Sequence, residues 1–238
     1  APLSPLVRSR GDFFAREGEF TFVYLRKIMM NNGENMKKLT VYVHGKVGNA
    51  AEAEHYIPLF PECEVIGYDY RAENPWEAKA EFPAFFDEQK KHFDEITLIA
   101  NSIGAFFSMS SLDEKQIKRA MFISPVVDME RLIRDMMTWA NVSEADLREH
   151  GEIATSFGET LSWKYLCYVR ENPLKWRVPT AILYGERDNL TSFPTISAFA
   201  EKTGASLTVM QGGEHWFHTD EQMAFLDNWI ADVKQGKA

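Results

Sequence analysis

The feature that most limits how this chain can fold is a series of short, β-rich apolar runs, each ending abruptly at a glycine, proline or polar residue. They run from Leu39 to His44-Gly45, Val65 to Asp69, Ile96 to Ser102, Arg119 to Ser124-Pro125, Pro179 to Gly185, and Ala205 to Met210. Stretches with helical patterning separate them. Short continuous apolar runs alternating with helices are what strands buried on both faces look like. The pattern predicts an α/β fold with a mostly parallel central sheet flanked by helices.

The polar residues of interest lie just past the ends of these runs, where open α/β sheets gather ligands. Ala100-Asn101-Ser102-Ile103-Gly104 reads as G-x-S-x-G with alanine in place of the first glycine. The small flanking residues relieve crowding at a sharp strand-to-helix corner, and such a corner lifts one hydroxyl clear of the backbone. Taken alone, the motif is a moderate signal that also fits a simple tight turn. Two further strand ends add to it. Asp188 follows the turn at Gly185, and His215 follows Gly212-Gly213. A serine hydroxyl needs a base to take its proton during attack, and an imidazole titrating near neutrality suits that task. A carboxylate would fix the ring's tautomer. His218 and Asp128 compete for these roles. His218 reads more simply as a residue at a helix start, and Asp128 as the start signal of the helix that follows it. His44 reads as a structural residue of its loop, and Asp69 and Arg71 as braces of theirs. Lys46 is either a solvated surface cation or an attractor for an acidic substrate.

With serine, aspartate and histidine in that chain order at strand ends, residues 38–232 resemble the α/β-hydrolase family. The resemblance implies a nucleophile at Ser102, an acid at Asp188 and a base at His215. It implies an oxyanion hole formed by the backbone N–H of Ile103 and, from the His44-Gly45 turn, the N–H of Lys46. Haloalkane dehalogenase chemistry is disfavoured, because that branch uses an aspartate where Ser102 stands.

The stretch between Pro125 and Pro179 is about three times the length of a single connecting helix. It reads as three helical pieces: Met129 to Ala140, Ser143 to about Ala154, and Leu161 to Glu171. Ser143-x-x-Asp146 gives the second a capping-box start. In the family an insertion here forms a lid, so the expected organisation is a core of residues 36–125 and 177–238 with a small helical cap at 126–176. The cap is rich in methionine and aromatics, including Met129, Leu132, Met136, Met137, Trp139, Phe157, Trp163, Tyr165 and Tyr168. Together such side chains make an adaptable apolar pocket. Met136, Trp139 and Trp163, with Trp216 beside His215, are the expected substrate contacts. Elsewhere, Asn74-Pro75 opens a helix that Pro83 would bend or restart. Ile103 to Leu112 and Thr219 to about Val233 read as further helices.

Composition narrows the function classes. With 26 Lys and Arg against 35 Asp and Glu, the chain carries a formal charge of −9, which disfavours nonspecific binding to nucleic acid or anionic membranes. No apolar run reaches the roughly 18 residues of a membrane span. Cys63 and Cys167 have no metal-ligand spacing, and two free thiols in a reducing cytoplasm are expected. His215-x-x-His218 alone is too small a set of ligands for zinc. No metal or cofactor is implied. Residues 1–35 form an N-terminal extension without a signal-peptide core. In it Phe20 to Leu25 is either an added edge strand or sequence foreign to the domain, because Met36 leads straight into the first core strand. The leading expectation is a cytoplasmic serine hydrolase cleaving a small to medium carboxylic ester of a small-molecule acyl substrate. An amide, peptide or thioester hydrolase with the same triad is the alternative, and a non-catalytic binding protein is the third. The oligomeric state is left open.

Overall fold

The computed structural model describes residues 36–237. The N-terminal extension, with its candidate strand Phe20 to Leu25, lies outside the described residues. Six strands form one sheet: β1 (Lys38–Val43), β2 (Glu64–Tyr68), β3 (Glu95–Asn101), β4 (Arg119–Ile123), β7 (Thr180–Gly185) and β8 (Ser206–Met210). Their spatial order is β2-β1-β3-β4-β7-β8, and every pairing among them is parallel. The chain first moves outward from β1 to β2, then returns across β1 to lay down β3 and proceeds the other way. The order therefore reverses between β1 and β3, which opens a crevice at their carboxyl ends. Val43 pairs with Ala100 there, so His44 and Asn101 leave the sheet side by side.

Alternation along the strands explains the layers. Leu39, Val41 and Val43 of β1, with Ile96, Leu98 and Ala100 of β3, enter one apolar cluster. That face is covered by α1 (Pro75–Gln89), α2 (Ser102–Ser111) and α6 (Phe193–Thr203). Tyr42, Ile99, Met121 and Leu183 point to the opposite face. A 3-10 helix (Ala50–Leu59) and α7 (Asp220–Lys234) cover it, the latter through Leu226, Trp229 and Ile230. Helix α1 runs through Pro83 instead of restarting there. The proline gives up one mid-helix hydrogen bond, but Phe82 and Phe86, both fully buried, hold the helix to the sheet on either side of it.

Between β4 and β7 the chain forms α3 (Met129–Trp139), α4 (Glu144–His150), β5 (Glu152–Ala154), β6 (Thr160–Ser162) and α5 (Trp163–Glu171). The expected second helix to Ala154 is only half right. The Ser143 capping box is present, but Gly151 takes φ +75° and ends the helix. β5 and β6 then pair as an antiparallel hairpin. The hairpin's loop is closed by Thr155, whose N–H and hydroxyl both donate to the Glu159 carbonyl while its Oγ1 accepts from the Glu159 N–H. Arg170 on α5 ties the three helices together, donating to Glu130 on α3 and to Glu144 on α4. No helix among the described residues is long and apolar enough to cross a membrane, and Cys63 and Cys167 are both free.

Candidate active site

β3 ends at Asn101 and α2 begins at the next residue, so the chain turns a corner with no loop. Ser102 absorbs that turn with φ +51°, a left-handed conformation costly for a residue other than glycine and typical of side chains held for a purpose. Its carbonyl accepts from the Val126 N–H at 3.1 Å, which pins the corner to the end of β4. Gly104 lets α2 press against the β1 exit. A Cβ there would lie 2.2 Å from the His44 carbonyl oxygen and 2.9 Å from that of Val43.

The acid and the histidine come from neighbouring strand ends. The loops after β7 and β8 are fastened together, Arg187 N–H donating to the Gly213 carbonyl at 2.8 Å and Glu186 N–H to that of Met210 at 3.0 Å. Gly185 permits this close approach, because a Cβ at that position would meet the Glu214 carbonyl oxygen at 2.4 Å. The result is a continuous chain of hydrogen bonds. Ser102 Oγ lies 2.8 Å from His215 Nε2, and His215 Nδ1 lies 2.7 Å from Asp188 Oδ2. The Asp188 side chain is fully buried and that of His215 is 15% exposed. Asp188 Oδ1 accepts from the N–H groups of Leu190 at 2.8 Å and Thr191 at 2.9 Å. These donors satisfy the buried carboxylate and fix its plane towards the ring. With Nδ1 donating to Asp188, Nε2 is left as an acceptor facing the serine hydroxyl.

The loop after β1 lies beside this chain. A Cβ on Gly45 would be 3.4 Å from Ser102 Cβ. His44 is buried, its Nδ1 within 2.7 Å of the Gly45 carbonyl. Tyr70 stacks on the His44 ring at 4.3 Å and donates its hydroxyl to the His44 carbonyl at 3.0 Å. Further along, Glu52 accepts from the Asn49 N–H and from the Tyr42 hydroxyl, which anchors the far end of the loop. The Lys46 N–H has no acceptor among the described residues. The Ile103 N–H, at the start of α2, has none within its helix.

Ser102 opens into a cavity of about 720 Å³ that also meets His44, Lys46, Ile103 and Tyr70. Its walls are largely apolar: Phe107 and Val126 from the core, Met129, Leu132, Ile133 and Met136 from α3, and Leu161 from the hairpin. Trp139 and Phe157, whose rings meet edge to face at 6.1 Å, stand at its rim. Burial holds the Tyr70 and Tyr165 hydroxyls well above the usual phenol range, so both stay protonated.

Of the expected substrate contacts, Met136 and Trp139 line the cavity and two do not. Trp163, the first residue of α5, packs half-buried on the core cluster instead. Trp216 turns outward as His215 turns in; it is 65% exposed and stacks on His218 at 4.8 Å. His218 itself engages the Trp216 carbonyl and not Ser102. Asp128 caps α3 by accepting from the Arg131 N–H. The Lys46 ammonium pairs with Glu159 of the hairpin loop. Arg71 lies in the cavity wall, as does Leu190. Tyr165, expected only as one of the aromatics of the cap, lines the cavity; Tyr70 and Glu159 line it without having been expected there, and of these two Tyr70 alone, two residues past a strand end, carried a positional signal. No group of three or more acids, histidines or cysteines placed to hold a metal occurs among the described residues.

No protein-family model matches this chain, and no curated protein matches its sequence. Solved structures do match. Est1E from Butyrivibrio proteoclasticus superposes with a TM-score of 0.66 at 18% identity, over 87% of this chain and 90% of its own. It has also been solved with ferulic acid bound. A hydrolase assigned as putative from Agrobacterium vitis gives 0.65 at 17% identity, covering 83% and 88%. Mouse alpha/beta hydrolase domain-containing protein 10 gives 0.63 at 11%, covering 84% and 90%. This chain has the α/β-hydrolase fold.

Proposed function

We propose that this chain is a serine hydrolase that cleaves a small to medium carboxylic ester through an acyl-enzyme intermediate. The observation that carries the reading is the unbroken hydrogen-bond chain from the buried Asp188 through His215 to Ser102, which opens on an apolar cavity. Ser102 Oγ attacks the ester carbonyl carbon while His215 Nε2 takes its proton. The carbonyl oxygen becomes an oxyanion that the N–H groups of Ile103 and Lys46 stabilise, each such donor contributing about 10²–10³ in rate. His215 returns the proton to the departing alcohol, leaving the acyl group on Ser102. A water molecule then repeats the sequence, giving up a proton to His215 and releasing the carboxylic acid.

Residues 126–176 serve as the lid in this reading. Their α3 and hairpin side chains supply most of the apolar wall, so this segment sets which acyl groups fit. Aliphatic acyl chains and single aromatic acids suit the cavity; the ferulic acid bound by Est1E is of the latter kind. The two free thiols accord with a reducing, cytoplasmic setting.

The test is a panel of p-nitrophenyl esters from acetate to octanoate, with matched anilides and thioesters, run on the wild type and on Ser102→Ala. Turnover of the esters above the anilides and thioesters, lost by about 10³-fold or more in the variant, is expected. Equal turnover by Ser102→Ala overturns the reading. Preference for an anilide or thioester keeps the serine chemistry and replaces the bond cleaved.

A further inference from the structure

A second groove, of about 780 Å³, lies at the root of the 126–176 segment, between the chain's return to the core and α6. Its floor is apolar. Phe106 and Trp176 are nearly fully buried, and Leu174 and Phe199 are half-buried. The floor is also pre-formed, since Trp176 Nε1 donates to Thr180 Oγ1 at 2.7 Å.

Four bases and two acids line the polar border of the groove, which leaves it cationic on balance. Lys175, Arg177 and Lys202 all line it, all are exposed, and none has an acid partner among the described residues. The two acids of the lining are engaged at its α3 end: Asp128 caps α3 through the Arg131 N–H, and Glu130 is held by Arg170. In a chain with nine more acids than bases, these three cations stand together around one apolar floor. Their mutual repulsion is relieved when an anion sits among them. An apolar floor and a cationic rim together fit a ligand with the inverse arrangement.

We propose that this groove binds an amphiphilic carboxylate, a single unbranched alkyl chain on the floor with its head group among Lys175, Arg177 and Lys202. Met129 lines both this groove and the Ser102 cavity. The site is distinct from the hydrolytic centre and does not depend on any turnover there.

Isothermal titration of the full chain with decanoate, and with decanol as the uncharged match, tests the proposal at fixed ionic strength. Decanoate should bind saturably and more tightly than decanol. Removal of the rim charges in Lys175→Ala/Arg177→Ala/Lys202→Ala should weaken decanoate about tenfold while leaving decanol nearly unchanged. Ala198→Trp, on the exposed side of α6 within the groove, should fill the floor and weaken both ligands. Decanoate affinity that survives either variant overturns the proposal, because the ligand then sits elsewhere, the Ser102 cavity included. So does equal loss of decanol in the charge variant, or no saturable binding below about 1 mM. None of these readouts requires ester hydrolysis, so failure here and failure of the hydrolase reading are told apart.

Discussion

Asp188→Asn separates the charge of the acid from its shape, and the surroundings dictate the outcome. Asp188 Oδ1 accepts two backbone N–H bonds, from Leu190 and Thr191, while Oδ2 faces His215 Nδ1. An asparagine keeps its carbonyl oxygen on the two backbone donors, because the flipped amide would leave two buried N–H groups without acceptors, at about 1–3 kcal/mol each. Its NH2 group then points at Nδ1 and must donate, so the proton of the neutral ring moves to Nε2. A protonated Nε2 cannot accept from Ser102 Oγ, 2.8 Å away. The expected loss in kcat is about 10⁴-fold, close to 5 kcal/mol of transition-state stabilisation, with KM changed far less. Steady-state hydrolysis of p-nitrophenyl butyrate gives both constants. Since the backbone bonds survive, the thermal midpoint should fall by no more than about 3 °C. A folded Asp188→Asn protein with kcat within tenfold of the wild type would refute the tautomer argument.

Two further substitutions address the corner and the cavity. Gly104→Ala drives a methyl into the His44 and Val43 carbonyls, at 2.2 and 2.9 Å, where only backbone can yield; urea unfolding should show a loss of about 3 kcal/mol or more, and a loss under about 1 kcal/mol would contradict that packing. Met136→Trp narrows the Ser102 cavity, so the octanoate-to-acetate ratio of kcat/KM should fall about tenfold; an unchanged ratio would place the acyl chain elsewhere.

Much of the framework is readable from the chain because strands buried on both faces cannot hide their composition. The run from Ile96 to Ser102 is apolar on both sides of β3, and both sides are indeed covered. The positions of Ser102 and Asp188 follow from the same logic, since each stands just past a buried strand; His215 follows the half-buried edge strand β8, where the Gly212-Gly213 turn is the cue. The 126–176 segment resists such reading. Glu152 to Ser162 forms two three-residue strands, too short for period-2 alternation to register against the helical pattern around it. The Gly151 turn is the one local cue that α4 stops there. Trp163 and Trp216 lie outside the lining of the Ser102 cavity for a different reason. Sequence spacing says which residues are large and apolar, but not which way each faces once its backbone turns. Glu159 was invisible to sequence because its partner, Lys46, lies 113 residues away.

Everything in the hydrolytic reading requires Ser102 to be a nucleophile activated by His215. A fluorophosphonate offered to the folded protein reports this directly, because only an activated serine reacts readily with it. Intact-mass and peptide mass spectrometry should find one adduct, on Ser102, formed in the wild type, slowed strongly in His215→Ala and missing from Ser102→Ala. A wild-type protein that stays unmodified, or an adduct on any other residue, would contradict the assignment.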